Sequence, residues 1–204
     1  MDKAAVVGNP RLLPMTMNLF GDRIMSPRLC LRKIEKDDLP YIVAWSNSKE
    51  AYGDFLTPEQ QDAEKTLDEL EAGSLWSAQG KTFVIEVKDE DMPVGTIHYW
   101  LKPGKGNRAV IALKIAIPSY RNKGYGTEAQ KYLIIHLFQK MQLDGVEMYT
   151  DIGNVAQQRC LKKLGFDLAE SLQYEDAQVK RTGHLFRLNS EQFSQTSIYH
   201  YFYE

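Results

Sequence analysis

The sequence predicts a mixed α+β domain, a central and mostly antiparallel sheet flanked by helices. Three observations predict it. Apolar and polar residues alternate in several runs between Arg28 and Asp151, as in half-buried strands. Two later runs have helical period, from about Thr127 to Gln142 and from Asn154 to Phe166. A turn rich in glycine and basic residues, Arg121–Gly126, joins the last strand of a meander to the first of these helices.

In chain order, "RLCLRKI" (Arg28 to Ile34) alternates as a strand, and Asp37 and Asp38 open an amphipathic segment through Trp45. Thr57, Pro58 and Gln60 carry the parts of a helix start: a cap, a proline at the first helical position, and the far end of a capping box. That helix is expected to run towards Trp76. "KTFVIEVKD" and "VGTIHYWLK" read as strands joined by a turn over Asp89, Glu90, Asp91, Met92 and Pro93. "RAVIALKIAI" makes a third strand ending at Pro118, completing a meander. In the helix that follows, Ala129, Leu133, Leu137 and Met141 share a face. "VEMYTD" is a strand, "NVAQQRCLKKLGF" a helix with a glycine exit, and "GHLFRL" a late strand. The expected order is β-α-α-β-β-β-α-β-α-β-β.

At 204 residues, with no internal repeat or Ser/Gly linker, one domain is the simplest account. We assign it to 23–189, with an N-terminal arm at 1–22 and an aromatic tail at 190–204. Prolines at 10 and 14 interrupt the arm, which lacks the apolar core of a signal peptide. The stretch Tyr132 to Phe138 is too short to span a bilayer. A net charge of −2 gives no basic field for nucleic acid. Cys30 and Cys160 form neither a disulfide framework nor a zinc pattern. A cytoplasmic protein with no metal, no nucleic-acid partner and no membrane partner is expected.

The glycine turn is neither G-x-G-x-x-G nor a P-loop. What fits is R-x-x-G-x-G between a strand and a helix N-terminus, where unpaired amides and the helix dipole favour an anion. An ordinary turn with solvated basic residues is the alternative. The string "RNKGYGTEA" after an "AIP" strand end, with Asn154 opening a helix that ends in Gly165 and Phe166, resembles the GNAT superfamily of N-acetyltransferases. "RLCLRKIEKDDLPYIVAWSN" is similar to its RimJ/RimL-like branch. The resemblance spans roughly Arg28 to Leu188 and implies the GNAT fold, whose sheet splays open, with acetyl-CoA as co-substrate. It further implies that the backbone of Ile115, Ala116 and Ile117 pairs with the pantetheine arm. The turn of Arg121, Asn122, Lys123, Gly124, Tyr125, Gly126 and Thr127 would cradle the pyrophosphate, with Arg121 and Lys123 as nearby charge. Asn154 would bond the pantetheine.

In that superfamily a neutral amine attacks the thioester directly within a ternary complex. An amide near Ile115 or Ile117 would then stabilise the oxyanion. Many relatives carry a Tyr seven residues after the motif Asn, or a Ser three after it; here Leu161 and Gln157 stand there. The usual proton donor is therefore absent. His98, with an unperturbed pKa of about 6.5, and Asp151, at the end of the strand before Asn154, are the candidate catalytic residues. A hydrogen-bonded imidazole on the sheet and a capping carboxylate are the structural alternatives. Trp45, Tyr52, Asp54 and Phe55 offer an aromatic wall with an acid for an ammonium acceptor, or pack the helices. Tyr199 and Tyr201 to Tyr203 imply a tail docked on its own domain or on a second subunit of a homodimer. A small-molecule amine is the expected acceptor. The alternatives are a protein N-terminus or lysine, or an acyl-CoA-binding module without catalysis.

Overall fold

A computed structural model describes residues 23–104, 106–176 and 178–200; the arm at 1–22 and Tyr201 to Tyr203 lie outside them. β1 (Arg23–Met25) and β2 (Leu29–Lys33) form a hairpin turned by Ser26, whose hydroxyl accepts the Leu29 N–H at 2.9 Å. Three short helices cross over the sheet: α1 (Leu39–Ser46), α2 (Lys49–Tyr52) and α3 (Ala63–Glu71). The meander follows as β3 (Gly80–Val87), β4 (Met92–Leu101) and β5 (Arg108–Ile115). Then come α4 (Tyr125–Gln139), β6 (Gly145–Asp151), α5 (Val155–Lys163), β7 (Asp167–Asp176), β8 (Val179–Asn189) and α6 (Ser190–Gln195). Among the described residues the strands form one sheet of order β1-β2-β3-β4-β5-β6-β8-β7. Every adjacent pair is antiparallel except β5–β6.

The predicted mixed fold stands, with three local corrections. The third helix begins at Ala63, not at Pro58: the Asp62 carboxylate caps it by accepting the Lys65 N–H at 2.7 Å, and Gln60 has φ +53°. Thr57 is drawn away from any cap, its N–H donating to Asp176 Oδ2 at 2.8 Å. β1 is an eighth strand that three residues were too few to announce by alternation. Met92 and Pro93 belong to β4, and the turn is made at Asp91, with φ +47°.

One apolar layer lies between the sheet and α4. There Ala129, Leu133 and Leu137 are fully buried against Phe83, Ile97 and Ile111. A smaller cluster on α1 and α2 joins Trp45, Ala51 and Tyr52 to Ala116. The start of the tail closes the large core: Phe193 stacks on Phe138 at 4.5 Å, and the buried Tyr199 hydroxyl donates to Leu164 O at 2.6 Å. Tyr199→Phe leaves that carbonyl unsatisfied and is expected to cost about 1–3 kcal/mol. Denaturant titration checks this, and an unchanged midpoint would remove the bond from the account.

Candidate functional site

The parallel neighbours β5 and β6 pair only over Arg108–Gly145, Ala109–Val146 and Val110–Glu147. Their closed end is fixed by charge. The buried Glu147 carboxylate takes Lys102 Nζ at 2.6 Å, Arg187 Nε at 2.8 Å and Arg108 at 3.5 Å. Burial alone would raise its pKa, but the Lys102 and Arg187 bonds outweigh it and hold the carboxyl low. Beyond Val110 the ladder ends and the strands diverge, leaving a wedge.

Within the wedge the orientation of β5's amides decides which can meet a ligand. β4 bulges where Ile85 pairs with Gly95 and Glu86 with Pro93, so Val94 is the extra residue. Its carbonyl accepts both the Ala116 N–H at 2.8 Å and the Ile117 N–H at 3.3 Å. Of the three backbone positions expected to face the pantetheine, two amides are therefore spent on β4. Alternation along the ladder turns the Ile115 N–H to the open side. Gly95 makes the approach possible, because a Cβ there would collide with the Lys114 carbonyl.

At the wedge mouth, Gly124 (φ +84°) enters α4 with no side-chain cap. The first helical bond runs from Glu128 N–H to Gly124 O at 3.0 Å, so the amides of Tyr125, Gly126 and Thr127 precede the helix ladder. Asn122 (φ +59°) and the exposed Lys123 complete the turn. Arg28 holds it from outside. Its guanidinium donates to Lys123 O at 3.0 Å, pairs with Glu128 at 2.6 Å and lies 4.5 Å from the Tyr125 ring centre. This cradle fits an anionic pyrophosphate.

Arg121 does something other than the expected charge donation. Its Nε donates to Ile115 O at 2.8 Å, and its Nη2 reaches Glu50 O, Ala51 O and Ala116 O at 2.6, 2.9 and 3.1 Å. The fork ties α2 to the exit of β5 because two stretches of backbone, 50–51 and 115–116, turn their carbonyls to one point. On the other wall, Asn154 caps α5 by accepting the Gln157 N–H at 3.1 Å, while its amide nitrogen remains to donate. Gln157 Nε2 donates to Gln130 Oε1 at 2.7 Å; Gln130 donates in turn to Gly126 O and to Cys160 Sγ, which also meets the Thr127 hydroxyl at 3.2 Å. This chain of polar side chains braces α5 against α4. Leu161 is buried in the core, so no donor replaces it from that position. Gln130, a polar residue at 0% exposure inside an apolar helix run, was the legible signal of this brace.

The wedge opens into a cleft of about 550 Å³ lined by Asp54, Phe55, Arg121, Thr127, Asp151 and Asn154. A second cavity of about 330 Å³ lies under α1 and α2, with Trp45, His98 and Trp100 in its wall. Tyr52, Leu56, Leu113 and Lys114 line both. The two candidate catalytic residues are thus in different cavities. Asp151 is engaged, its Oδ1 accepting the Gly153 N–H at 2.8 Å and its Oδ2 lying 3.4 Å from Arg181. His98 stacks on Trp100 at 5.3 Å, and burial, with Lys114's charge, depresses its pKa to about 4. It is neutral at pH 7 and a weak base. Of the four acceptor-wall residues, Trp45 packs in the smaller core, Tyr52 separates the cavities, and Asp54 and Phe55 face the cleft.

A splayed sheet, a glycine cradle at a helix N-terminus and a capping Asn across the gap define an acyltransferase fold. Residues 28–167 match the family model of the acetyltransferase (GNAT) domain, and the chain belongs to that family of acetyl-CoA-dependent N-acetyltransferases. Solved structures agree in fold. RimJ of Mycobacterium smegmatis, in complex with CoA-disulfide, is 19% identical with a TM-score of 0.71, covering 87% of this chain and 92% of its own. A GNAT-family acetyltransferase of Bacillus anthracis is 20% identical with a TM-score of 0.70, covering 83% and 99%. The spermidine/spermine N-acetyltransferase SpeG of Vibrio cholerae is 16% identical with a TM-score of 0.68, covering 84% and 99%. A sequence comparison with curated proteins gives no match. Among the described residues, no group of three or more His, Cys, Asp or Glu is placed to hold a metal, and no helix is long and apolar enough to cross a membrane.

Proposed function

We propose that the enzyme acetylates the primary amine of a small molecule, which enters through the cavity under α1 and α2. The observation that carries this reading is the junction of the two cavities at Leu113 and Lys114, beside the Ile115 amide. One cavity leads to the anion cradle. The other, at about 330 Å³, is near the small end of the range for ligand pockets, about 300–1,000 Å³. A ribosomal L7/L12 alpha-N-protein acetyltransferase and the spermidine/spermine enzyme are both similar in fold, which leaves the acceptor class open between protein and small amine; the size of the second cavity favours the latter.

In this reading the amides from Asn122 to Thr127 hold the pyrophosphate and the Asn154 amide nitrogen binds the pantetheine. The Ile115 N–H donates to the thioester carbonyl oxygen as charge develops there. The amine forms the new C–N bond, the C–S bond breaks, the amine proton leaves to water, and the departing thiolate takes one up. Asp151, held by Gly153 and Arg181, keeps the wall of the cleft in place and orders water for that proton. His98 accepts a hydrogen bond on the acceptor side.

Acetyl-CoA at about 100 times its Kd is expected to stabilise the protein by about 2.7 kcal/mol, read as a rise in Tm, and a panel of small amines to release CoA thiol. No thermal shift would overturn the donor site. A shift accompanied by turnover of peptide N-termini alone would move the acceptor to the protein class.

A further inference from the structure

The second cavity holds a cation that the reaction as described does not use. Lys114 Nζ lies 3.8 Å from the centre of the Tyr52 ring, and among the described residues no carboxylate comes within ion-pair distance of it. The Tyr52 hydroxyl is buried, and among the described residues no acceptor takes its proton; the Glu59 backbone near its oxygen is too loosely placed to make a regular hydrogen bond. A buried hydroxyl without a partner is costly unless a ligand satisfies it. The other titratable groups lining the cavity are His98 from β4, Asp176 from β7 and Glu59 from the loop before α3. Asp176 is committed, accepting from Thr57 N–H at 2.8 Å and Arg181 Nε at 3.0 Å. Glu59 is exposed. Burial lowers the Lys114 pKa to about 8, with Glu59 opposing, so near neutral pH the lysine is still mainly a cation. The neutral His98 adds a further N–H donor and no charge.

We propose that this cavity receives a carboxylate of the acceptor, so that the amine acetylated belongs to an amino acid or an amino-acid-like compound. Among the described residues Lys114 is the one cation lining this cavity. With Asp176 already held by Arg181 and Glu59 turned to solvent, and with neutral hydroxyls and an amide from Thr82, Thr96 and Gln61 in the wall, a single cation suits a monoanion. A phosphate dianion would call for a second cation there. The Tyr52 hydroxyl and the lysine ammonium both lack acceptors, and a carboxylate supplies two oxygens. Lys114 also lines the donor cleft, which keeps the amine of a compact amino acid near the Ile115 amide. The inference rests on the acceptor reading above.

The test compares protein amino acids with the amines left when their carboxylate is replaced by hydrogen. Binding to the CoA-saturated enzyme is followed through the fluorescence of Trp45 and Trp100, and turnover through thiol release. At least one amino acid is expected to bind at least tenfold more tightly than its decarboxylated partner. Lys114→Met brings that ratio close to one, and Lys114→Arg retains it. Raising the pH from 7 to 9 erodes the preference in the wild type as Lys114 loses its proton, and leaves it in the arginine variant. Equal affinity within every pair, or a ratio that survives in Lys114→Met, overturns the proposal. So does a Lys114→Met enzyme that binds both partners as the wild type does but turns over neither, which would make Lys114 a proton-transfer group. The acetyl-CoA thermal shift is measured on each variant. Its presence shows that the variant folds, and its absence in the wild type would overturn the donor reading instead.

Discussion

Gly95→Ala is expected to lower kcat by about 100-fold, the scale of losing one oxyanion donor, while the KM for acetyl-CoA changes little. A methyl group at Gly95 meets the Lys114 carbonyl and Ile115 Cα. β4 and β5 must separate at the point where β5 enters the wedge, and overpacking of this kind costs about 1–3 kcal/mol. The Ile115 amide moves with the strand, and small misplacements of a reacting geometry are expensive. The cradle at the start of α4 is a separate element fixed by Arg28 and Glu128, so donor affinity is largely retained. Steady-state kinetics with purified variant and wild type read the split. A kcat within threefold of wild type would show that the Ile115 amide is not used.

Arg121→Lys distinguishes a clamp from a phosphate ligand. A lysine keeps the positive charge and loses the planar fork. As a clamp, Arg121 joins four carbonyls from α2 and the end of β5, and a hydrogen bond to a charged group is worth about 1.5–3 kcal/mol. The variant is expected to lose at least that much stability by denaturant titration. It should also weaken acetyl-CoA binding tenfold or more, because the turn loses its anchor to the strand. Full retention of affinity and stability would return Arg121 to the role of a simple point charge.

Much of the frame was legible because its signals are local. Alternation located β3, β4, β5 and β6, and the helical period located α4 and α5. The glycine turn and Asn154 marked the two walls of the wedge. The misplaced helix start shows the limit of local reading: Thr57, Pro58 and Gln60 carry cap chemistry, but Thr57 is recruited by Asp176 and Arg181, which lie 119 and 124 residues away in the chain. Cap propensity at an exposed segment is worth about 0.5–2 kcal/mol, little enough for one charged tertiary contact to redirect it.

The sequence by itself determined the class of protein, because a strand, a glycine-rich turn and a helix adjacent in the chain are enough to build an anion cradle from backbone amides. Which groups face the two cavities was settled by contacts between distant segments. The Val94 bulge consumes the amides of Ala116 and Ile117 and leaves Ile115. The approach of α2 turns Arg121 inward. The folding of α1 and α2 over the sheet shuts His98, Tyr52 and Lys114 into one cavity. Each depends on groups brought together from distant parts of the chain, where distance and desolvation set the chemistry and residue type alone does not.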